Sequence, residues 1–379
     1  MAMPFVGKEQ QFVYAVRGLD PNRVSKAPLL PIRLLPPGNL QPKALFLNHK
    51  TSTMPAQEDR PDGQPPVTAP RELTGEEAAL YDRQIRLWGL EAQRKLASSS
   101  VLLAGDVCSL TAQELAKNVL LAGVMRLGLV EYDDKYKKAP RSFLGDSVPA
   151  IVQSLKEMNP LVNVQVIEKP CLEVVKQFSV VCAIGMSRKE ELLMTEACRA
   201  AEVPFLAGRV AGVIGWVFLD LGDEYSYQKS ESNVSGPHDS ASVSMKTASY
   251  CSYKAALDAN WGRETARSAF GWHVAYTLQE FASRHSRLPS ADETDVKLMT
   301  ELYAELSESK KSKRTNTKLI ERVANTASAI LGPVCAIVGG MWGREVIKIV
   351  SGKGEPLNNL FFFNAETSAG SVERVGPPG

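Results

Sequence analysis

No CxxC pair occurs among the six cysteines, Cys108, Cys171, Cys182, Cys198, Cys251 and Cys335, which excludes a zinc ribbon or a thioredoxin-like motif. Several lie in apolar runs, such as Val181-Cys182-Ala183 and Val334-Cys335-Ala336, where a reduced thiol behaves as a small hydrophobe. The compartment expected from that usage is reducing and intracellular. Histidine is scarce as well: His49, His238, His273 and His285 form no HExxH, so no metal site is expected. Charge of one sign is lacking, with 44 Lys+Arg against 42 Asp+Glu and a formal net charge of +2. Nucleic acid is therefore not an expected partner. No window approaches about 18 consecutive apolar residues, so no helical membrane span is expected. Internal repeats are absent too.

What is present suits a globular protein. A hydrophobic fraction of 44% over 379 residues supports a sizeable core and a chain of about two domains. Proline is unevenly spread: 12 of 23 precede Arg71, leaving 11 for the other 309 residues. Residues 1–70 show no sustained periodicity, and Pro36-Pro37 and Pro65-Pro66 break what little there is. They read as a largely disordered extension, with seven basic and two acidic side chains in the first 50 residues, faintly like an organellar transit peptide.

Order begins at Thr74, whose capping box with Glu77 predicts a helix. Val101-Leu-Leu-Ala-Gly105 is apolar on both faces, as a buried parallel strand would be. Leu115, Val119 and Ala122 line one stripe of a helix over 110–122, and Arg126–Asp134 is a second strand, completing a βαβ unit. The alternation continues with a helix at 147–158, strands at Asn163–Glu168 and Ser179–Ile184, a helix at Glu190–Ala201 and a strand at Pro204–Ala207. Val213–Asp220 reads as a further, antiparallel strand. The fold class predicted is α/β, a doubly wound Rossmann-like sheet. Residues 222–250, polar and rich in serine and glycine, read as a flexible loop, and 262–330 as helical, with Phe270, Val274, Leu278 and Phe281 on one face. Lys310-Lys-Ser-Lys-Arg314 is a candidate nuclear localisation signal, so the nucleus is the expected location, with the cytoplasm beside it. Pro333 opens an apolar helix over Val334–Val350, and Leu360–Phe363 is the last strand. Gly339, Gly340 and Gly343 are best explained by close helix packing. The divisions are thus 1–70, an extension; 71–221, the first part of the α/β domain; 222–330, a polar loop and helical insertion; and 331–379, the rest of the α/β domain.

A nucleotide-binding turn needs G-x-G-x-x-G so that backbone can approach phosphate at a helix N-terminus. Here the turn reads Gly105-Asp-Val-Cys-Ser-Leu-Thr-Ala112: only the first glycine is present, and Asp106 places a negative charge where phosphate would sit. Asp133 and Asp134, at the end of the second strand, read either as ribose ligands or as a solvated strand end. Tyr81–Gly89 is dense in arginine and aromatics, and on composition alone Asp82 and Arg86 are an i,i+4 helix pair. As a thiol nucleophile Cys251 is the most exposed candidate, a weak one; Cys182 and Cys335 read as buried, and Cys108 sits beside Asp106.

Tyr81–Leu90 (YDRQIRLWGL), Glu91-Ala-Gln93, Ala116-Lys-Asn118, Leu121-Ala-Gly-Val124, Asn159-Pro160, Asp220-Leu-Gly222 and Pro333–Gly340 resemble the ubiquitin-like-modifier activating enzymes. The Pro333–Gly340 block, with Phe361-Phe-Phe363 behind it, is similar to the smaller, Aos-type subunits that activate SUMO. The resemblance spans about residues 73–379 and implies a ThiF/MoeB-type adenylation fold. It implies a heterodimer whose larger catalytic subunit holds ATP and Mg2+, adenylates SUMO and takes it as a thioester. This chain would be the non-catalytic half, holding no cofactor itself and supplying Arg83, with Arg86 as a second candidate, to the ATP phosphates in its partner's site. The turn after Gly105 is longer than the family's usual form and the stretch Lys135–Pro149 shorter, and both departures weaken nucleotide binding in cis. The rival readings are the regulatory subunit of a Nedd-type activating enzyme, a self-sufficient MoeB/ThiF-like adenylating enzyme and, more distantly, a nicotinamide oxidoreductase.

Overall fold

Apolar runs bounded by caps and glycines assemble the chain around one mixed sheet. A computed structural model describes residues 70–132, 143–168, 172–231, 242–262, 270–312 and 316–377. The extension, Asp133 and Asp134, Cys171 and the end of the Lys310–Arg314 run lie outside the described residues. Three short helices lead in: α1 (Gly75–Leu80), started by the expected Thr74–Glu77 capping box, α2 (Asp82–Trp88) and α3 (Leu90–Leu96). Then follow β1 (Ser100–Gly105), α4 (Leu110–Leu121), β2 (Arg126–Glu131), α5 (Val148–Met158), β3 (Asn163–Val166), α6 (Leu172–Val175), β4 (Val180–Ile184), α7 (Arg188–Ala200), β5 (Phe205–Ala211) and β6 (Ile214–Asp220). The sheet order is β3-β2-β1-β4-β5-β6, then two strands from the C-terminus. The β3-to-β5 pairs are parallel, while β6 runs antiparallel to β5, as its alternation predicts.

Strand side chains divide between two layers because successive residues point to opposite faces. Val101 and Leu103 of β1 join a cluster with α4 and the C-terminal helix, whereas Leu102 and Ala104 join one built on α7.

The polar stretch 222–250 is not all loop. It contains β7 (Tyr225–Glu231) and β8 (Ser242–Ala248), an antiparallel pair. Tyr225 and Tyr227 supply the reason: Tyr227 is buried, and the Tyr225 hydroxyl donates to the Ile349 carbonyl at 3.0 Å. The helical insertion is α8 (Tyr253–Asp258), α9 (Phe270–His285), α10 (Glu293–Ser309) and α11 (Thr317–Thr326). Val274, Leu278 and Phe281 of α9 are fully buried, packed with Trp216 and Phe218 of β6.

The chain returns through α12 (Gly332–Ser351), with Pro333 in its first turn, and β9 (Leu360–Asn364). The expected last strand is not last. β10 (Ala369–Glu373) pairs antiparallel with β9, and its Glu373 carboxylate accepts the Gly271 and Trp272 N–H groups at 3.0 Å, at the start of α9. Those amides are among the helix donors left without an intrahelical partner.

Buried acids anchor the insertion to the sheet. Asp220, at the end of β6, accepts Arg199 Nη2 at 2.8 Å and the Tyr253 N–H at 3.1 Å. Glu191 of α7 is buried and accepts from the Tyr253 hydroxyl and from Gln279 Nε2 at 3.0 Å. Burial pushes its carboxyl up to about 7, outweighing those hydrogen bonds and the charges of Arg209 and Arg188.

Two predictions follow from this packing. On Gly339 and Gly343 of α12, an added Cβ would lie 2.7 Å from Glu114 Cβ and 2.8 Å from Asn118 Cβ, both on α4. Gly340, expected to be a packing glycine, meets nothing within 4 Å and faces outward instead, since it lies one residue round the helix from the seam. Gly339→Ala is therefore expected to cost about 1–3 kcal/mol in urea denaturation, and Gly340→Ala to be neutral or to stabilise by up to about 1 kcal/mol. Glu191 carries the second. A carboxyl raised above its unfolded value of about 4.3 contributes stability that is complete below that pH and is lost as pH rises towards about 7. Glu191→Gln should flatten the stability–pH curve across that window by up to about 1.4 kcal/mol per pH unit, read from denaturation midpoints at a series of pH values.

Candidate functional site

The arginine-bearing segment Tyr81–Gly89 forms α2, with Tyr81 as its N-cap and Gly89, at φ 89°, as its C-cap. The sharp turn at Gly89 separates α2 from α3 in a backbone region that glycine enters without a Cβ penalty. Tyr81 is buried with its ring against Gly123, where a Cβ would lie 2.5 Å from Tyr81 Cζ. Asn159 Nδ2 donates both to the Tyr81 hydroxyl and to the Leu120 carbonyl, each at 3.0 Å. Burial raises the Tyr81 phenol above its ordinary range, so it stays protonated. Gln84 Nε2 reaches the Leu121 carbonyl at 2.9 Å, and Trp88 Nε1 reaches Gln93 Oε1 at 2.9 Å. The Tyr81, Gly123 and Asn159-Pro160 blocks, separate in sequence, are thus one piece of packing.

The two candidate arginines differ. Arg86 pairs with Asp82 at 2.9 Å across one helical turn, both side chains largely exposed. Such a pair contributes only about 0.3–0.5 kcal/mol. Arg83 is exposed and has no hydrogen bond or ion pair among the described residues. Around it the surface is apolar: Leu80 and Leu90 are exposed, and Leu87 is 78% exposed. Leu87 and Trp88 share a groove with Gly340, Arg344 and Ile347 of α12.

The degenerate turn lies at the carboxyl ends of β1 and β4, where an open α/β sheet holds its ligands. Several of its polar groups bond within the protein. The Asp106 N–H donates to the Ile184 carbonyl at 2.8 Å, and Ser109 caps α4 through the Ala112 N–H. Gln113 Nε2 donates to the Cys108 carbonyl at 2.9 Å and to the Gly145 carbonyl at 3.2 Å. Gly105, at φ 112°, is needed because a Cβ would fall 2.2 Å from the Ile184 carbonyl oxygen and 2.7 Å from Met186 Cγ. Met186 is buried beside it, and Arg209 donates to the Gly185 and Met186 carbonyls. The Asp106 carboxylate and the Met186 thioether offer no donor at this crevice, and the carboxylate repels a triphosphate.

Three of the five cysteines among the described residues are inaccessible as nucleophiles. Cys182, Cys198 and Cys335 are buried, and burial pushes their thiols up. Cys251, like Cys108, is half-buried: the C-terminal segment crosses it, leaving 2.2 Å between its Sγ and a Cβ placed on Gly376. Lys310, first of the basic run, donates to the Leu257 carbonyl at 2.6 Å. Among the described residues no group of His, Cys, Asp and Glu could hold a metal ion, and no helix is long and apolar enough to cross a membrane.

The ThiF family model matches residues 81–377, beginning at the N-cap of α2. The chain belongs to the ThiF family. Three relatives span nearly all of their own length against it. Human SUMO-activating enzyme subunit 1 is 32% identical over 340 residues, 80% of this chain and 97% of the relative. Arabidopsis thaliana SUMO-activating enzyme subunit 1B-1 is 33% identical over 323 residues, with the same coverage. Danio rerio SUMO-activating enzyme subunit 1 is 31% identical over 336 residues, 79% of this chain and 95% of the relative. The likeness to the smaller SUMO-activating subunits that the motifs suggest is therefore a property of most of the ThiF-family chain.

Arg209, Met186 and Gln113 were not singled out from the sequence, because each reaches the crevice across the sheet or from a neighbouring helix. Asn159 had one signal, its place in the Asn159-Pro160 pair. Asn159→Ala would remove the buried donor to the Tyr81 hydroxyl and one of the donors to the Leu120 carbonyl, which keeps the Gly123 N–H, at a cost of about 1–3 kcal/mol. Chemical denaturation checks this; an unchanged midpoint would remove Asn159 from the support of α2.

Proposed function

We propose that this chain is the non-catalytic subunit of a heterodimeric SUMO-activating enzyme. It supports ATP-dependent adenylation of SUMO, and the thioester transfer that follows, by a larger partner subunit, and it delivers Arg83 to the nucleotide phosphates bound there. One observation carries the reading: Arg83 is an exposed guanidinium without a partner among the described residues, on a helix anchored through Tyr81, Gln84 and Trp88. Exposed apolar side chains adjoin it on the same helices, as a protein-docking face requires. Arg86 is the weaker candidate, because Asp82 already holds it.

The chemistry suits arginine. Its guanidinium stays protonated, and its planar fork donates two parallel hydrogen bonds to phosphate oxygens. Delivered from a rigid helix into a site that the partner closes, it neutralises charge where the modifier's carboxylate must approach a polyanion. The chain's own crevice supports the division of labour, since the Asp106, Val107 and Ser109 N–H groups already bond to backbone and the Asp106 carboxylate opposes phosphate. ATP and Mg2+ are thus assigned to the partner. The names of the relatives favour SUMO over a Nedd-type modifier.

Co-purification with the larger subunit, followed by SUMO-dependent ATP–pyrophosphate exchange, tests this. Arg83→Ala should lower exchange by about 10²–10³-fold while the heterodimer still elutes intact. Exchange at the wild-type rate in that variant, or exchange by this chain alone, would overturn the assignment.

A further inference from the structure

We propose that Lys353 is a positioning residue for Arg83, acting through the C-terminal end of α2; the inference rests on the trans-arginine reading. α2 has seven residues and no buried side chain. A helix that short has no stability of its own, so its orientation is imposed by tertiary contacts. Its first turn is held by Tyr81 and Asn159. Its last turn ends in carbonyls that have no intrahelical donor. The Trp88 carbonyl, the last of them, accepts from Lys353 Nζ at 2.7 Å, and the two residues are 265 positions apart. The ammonium lies under the Gly89 turn, 3.7 Å from where a Gly89 Cβ would be. A cation at a helix C-terminus also complements the helix dipole. Next along the chain the Glu91 carboxyl is held below its ordinary range, by Lys95 foremost and with Lys353 contributing.

Lys353 is itself fixed. It follows Gly352, the left-handed cap of α12 at φ 64°, and its N–H donates to Ser351 Oγ at 3.3 Å. On either side the backbone bonds to β7: the Gln228 N–H donates to the Gly352 carbonyl at 2.8 Å, and the Gly354 N–H to the Gln228 carbonyl at 2.9 Å. The clamp therefore runs from α12 and the β7–β8 pair, through one ammonium, to the helix that carries the arginine. From Trp88 back to Arg83 is about 7.5 Å at 1.5 Å per residue, so a loosened last turn moves the guanidinium directly. Misplacement of a positioned group by about 1 Å can cost 10²-fold in rate. Because α2 buries no side chain, losing this clamp should cost the fold little and Arg83 much.

The test uses the full chain in its heterodimer, with Lys353→Met, Lys353→Arg, Arg83→Ala and the double variant Arg83→Ala/Lys353→Met. SUMO-dependent ATP–pyrophosphate exchange is measured at saturating ATP and SUMO, beside thermal melting and size exclusion. Lys353→Met should lower kcat by about 10-fold or more with the melting temperature and heterodimer unchanged. Lys353→Arg, which can still donate to the Trp88 carbonyl, should recover most of it. In the Arg83→Ala background Lys353→Met should have no further effect. An equal loss in both backgrounds, or no loss where Arg83→Ala does lower exchange, overturns the role of Lys353. If Arg83→Ala itself has no effect, the trans-arginine reading falls first and this inference with it.

Discussion

The close approach of α12 to α4 is the constraint on which the rest of the arrangement depends. Gly339 and Gly343 have no room for a methyl group, so the two helices meet backbone to side chain along the face of the sheet. That contact sets where α12 ends, and so where Gly352 turns and Lys353 emerges beneath α2. It also places the far end of α4, with Leu120, Leu121, Ala122 and Gly123, under Tyr81, Gln84 and Gln93. A short surface helix thus inherits its orientation from two long buried ones. The price is conformational: glycines in a helix interior cost about 1 kcal/mol each relative to alanine, and here the gained contact offsets it.

The insertion is attached by a different physics. Around α8–α11 the packing is aromatic, with Trp216, Trp272, Tyr253 and Phe281 fully buried, and three buried carboxylates fasten it, Asp220 and Glu373 to the sheet and Glu191 to α7. Asp220 and Glu373 satisfy amides at the starts of α8 and α9, and Asp220 is also held by Arg199. Among the described residues Glu191 has no cation in hydrogen-bond contact; its partners are Tyr253 and Gln279, so burial dominates and the carboxyl rises. The same residue type therefore serves as an anchor in one setting and as a pH-dependent weak point in the other.

Where periodicity, capping and apolar runs agree, the architecture was legible in the residues. Thr74 and Glu77, the all-buried Val101–Gly105 strand, the α9 stripe and Pro333 at a helix start are local signals, and each element formed where they pointed. β7–β8 escaped because serine content masks an alternation carried by two tyrosines. β10 escaped because Ala369–Glu373 is a short edge strand, defined by pairing to Phe361-Phe-Phe363 rather than by its own pattern. Gly340 looked like its neighbours because helix sequence alone does not say which glycine faces the seam. Arg83 and the degenerate turn were visible through their motif and through missing glycines. Lys353 was not: nothing near it announces a bond to a carbonyl 265 residues away.

The crevice and the arginine helix are two sides of one arrangement. In an open α/β sheet the first turn normally keeps its N–H groups free for phosphate. In this chain the Asp106, Val107 and Ser109 N–H groups of the turn after Gly105 bond to backbone carbonyls, Met186 is buried beside Gly105, and Arg209 is bound by the Gly185 and Met186 carbonyls. Arg209 Nη2 is thus tied to backbone carbonyls at the crevice, whereas Arg83 has no hydrogen bond or ion pair among the described residues. Of the two arginines, Arg209 at the crevice bonds to backbone, and Arg83 lies exposed on the outer helix. Beside Arg83 on this helix, Arg86 is paired with Asp82, and at its end Lys353 is held by the Trp88 carbonyl. The specificity of such a device lies in where the helix points, and so in the glycine seam and the clamps at its two ends.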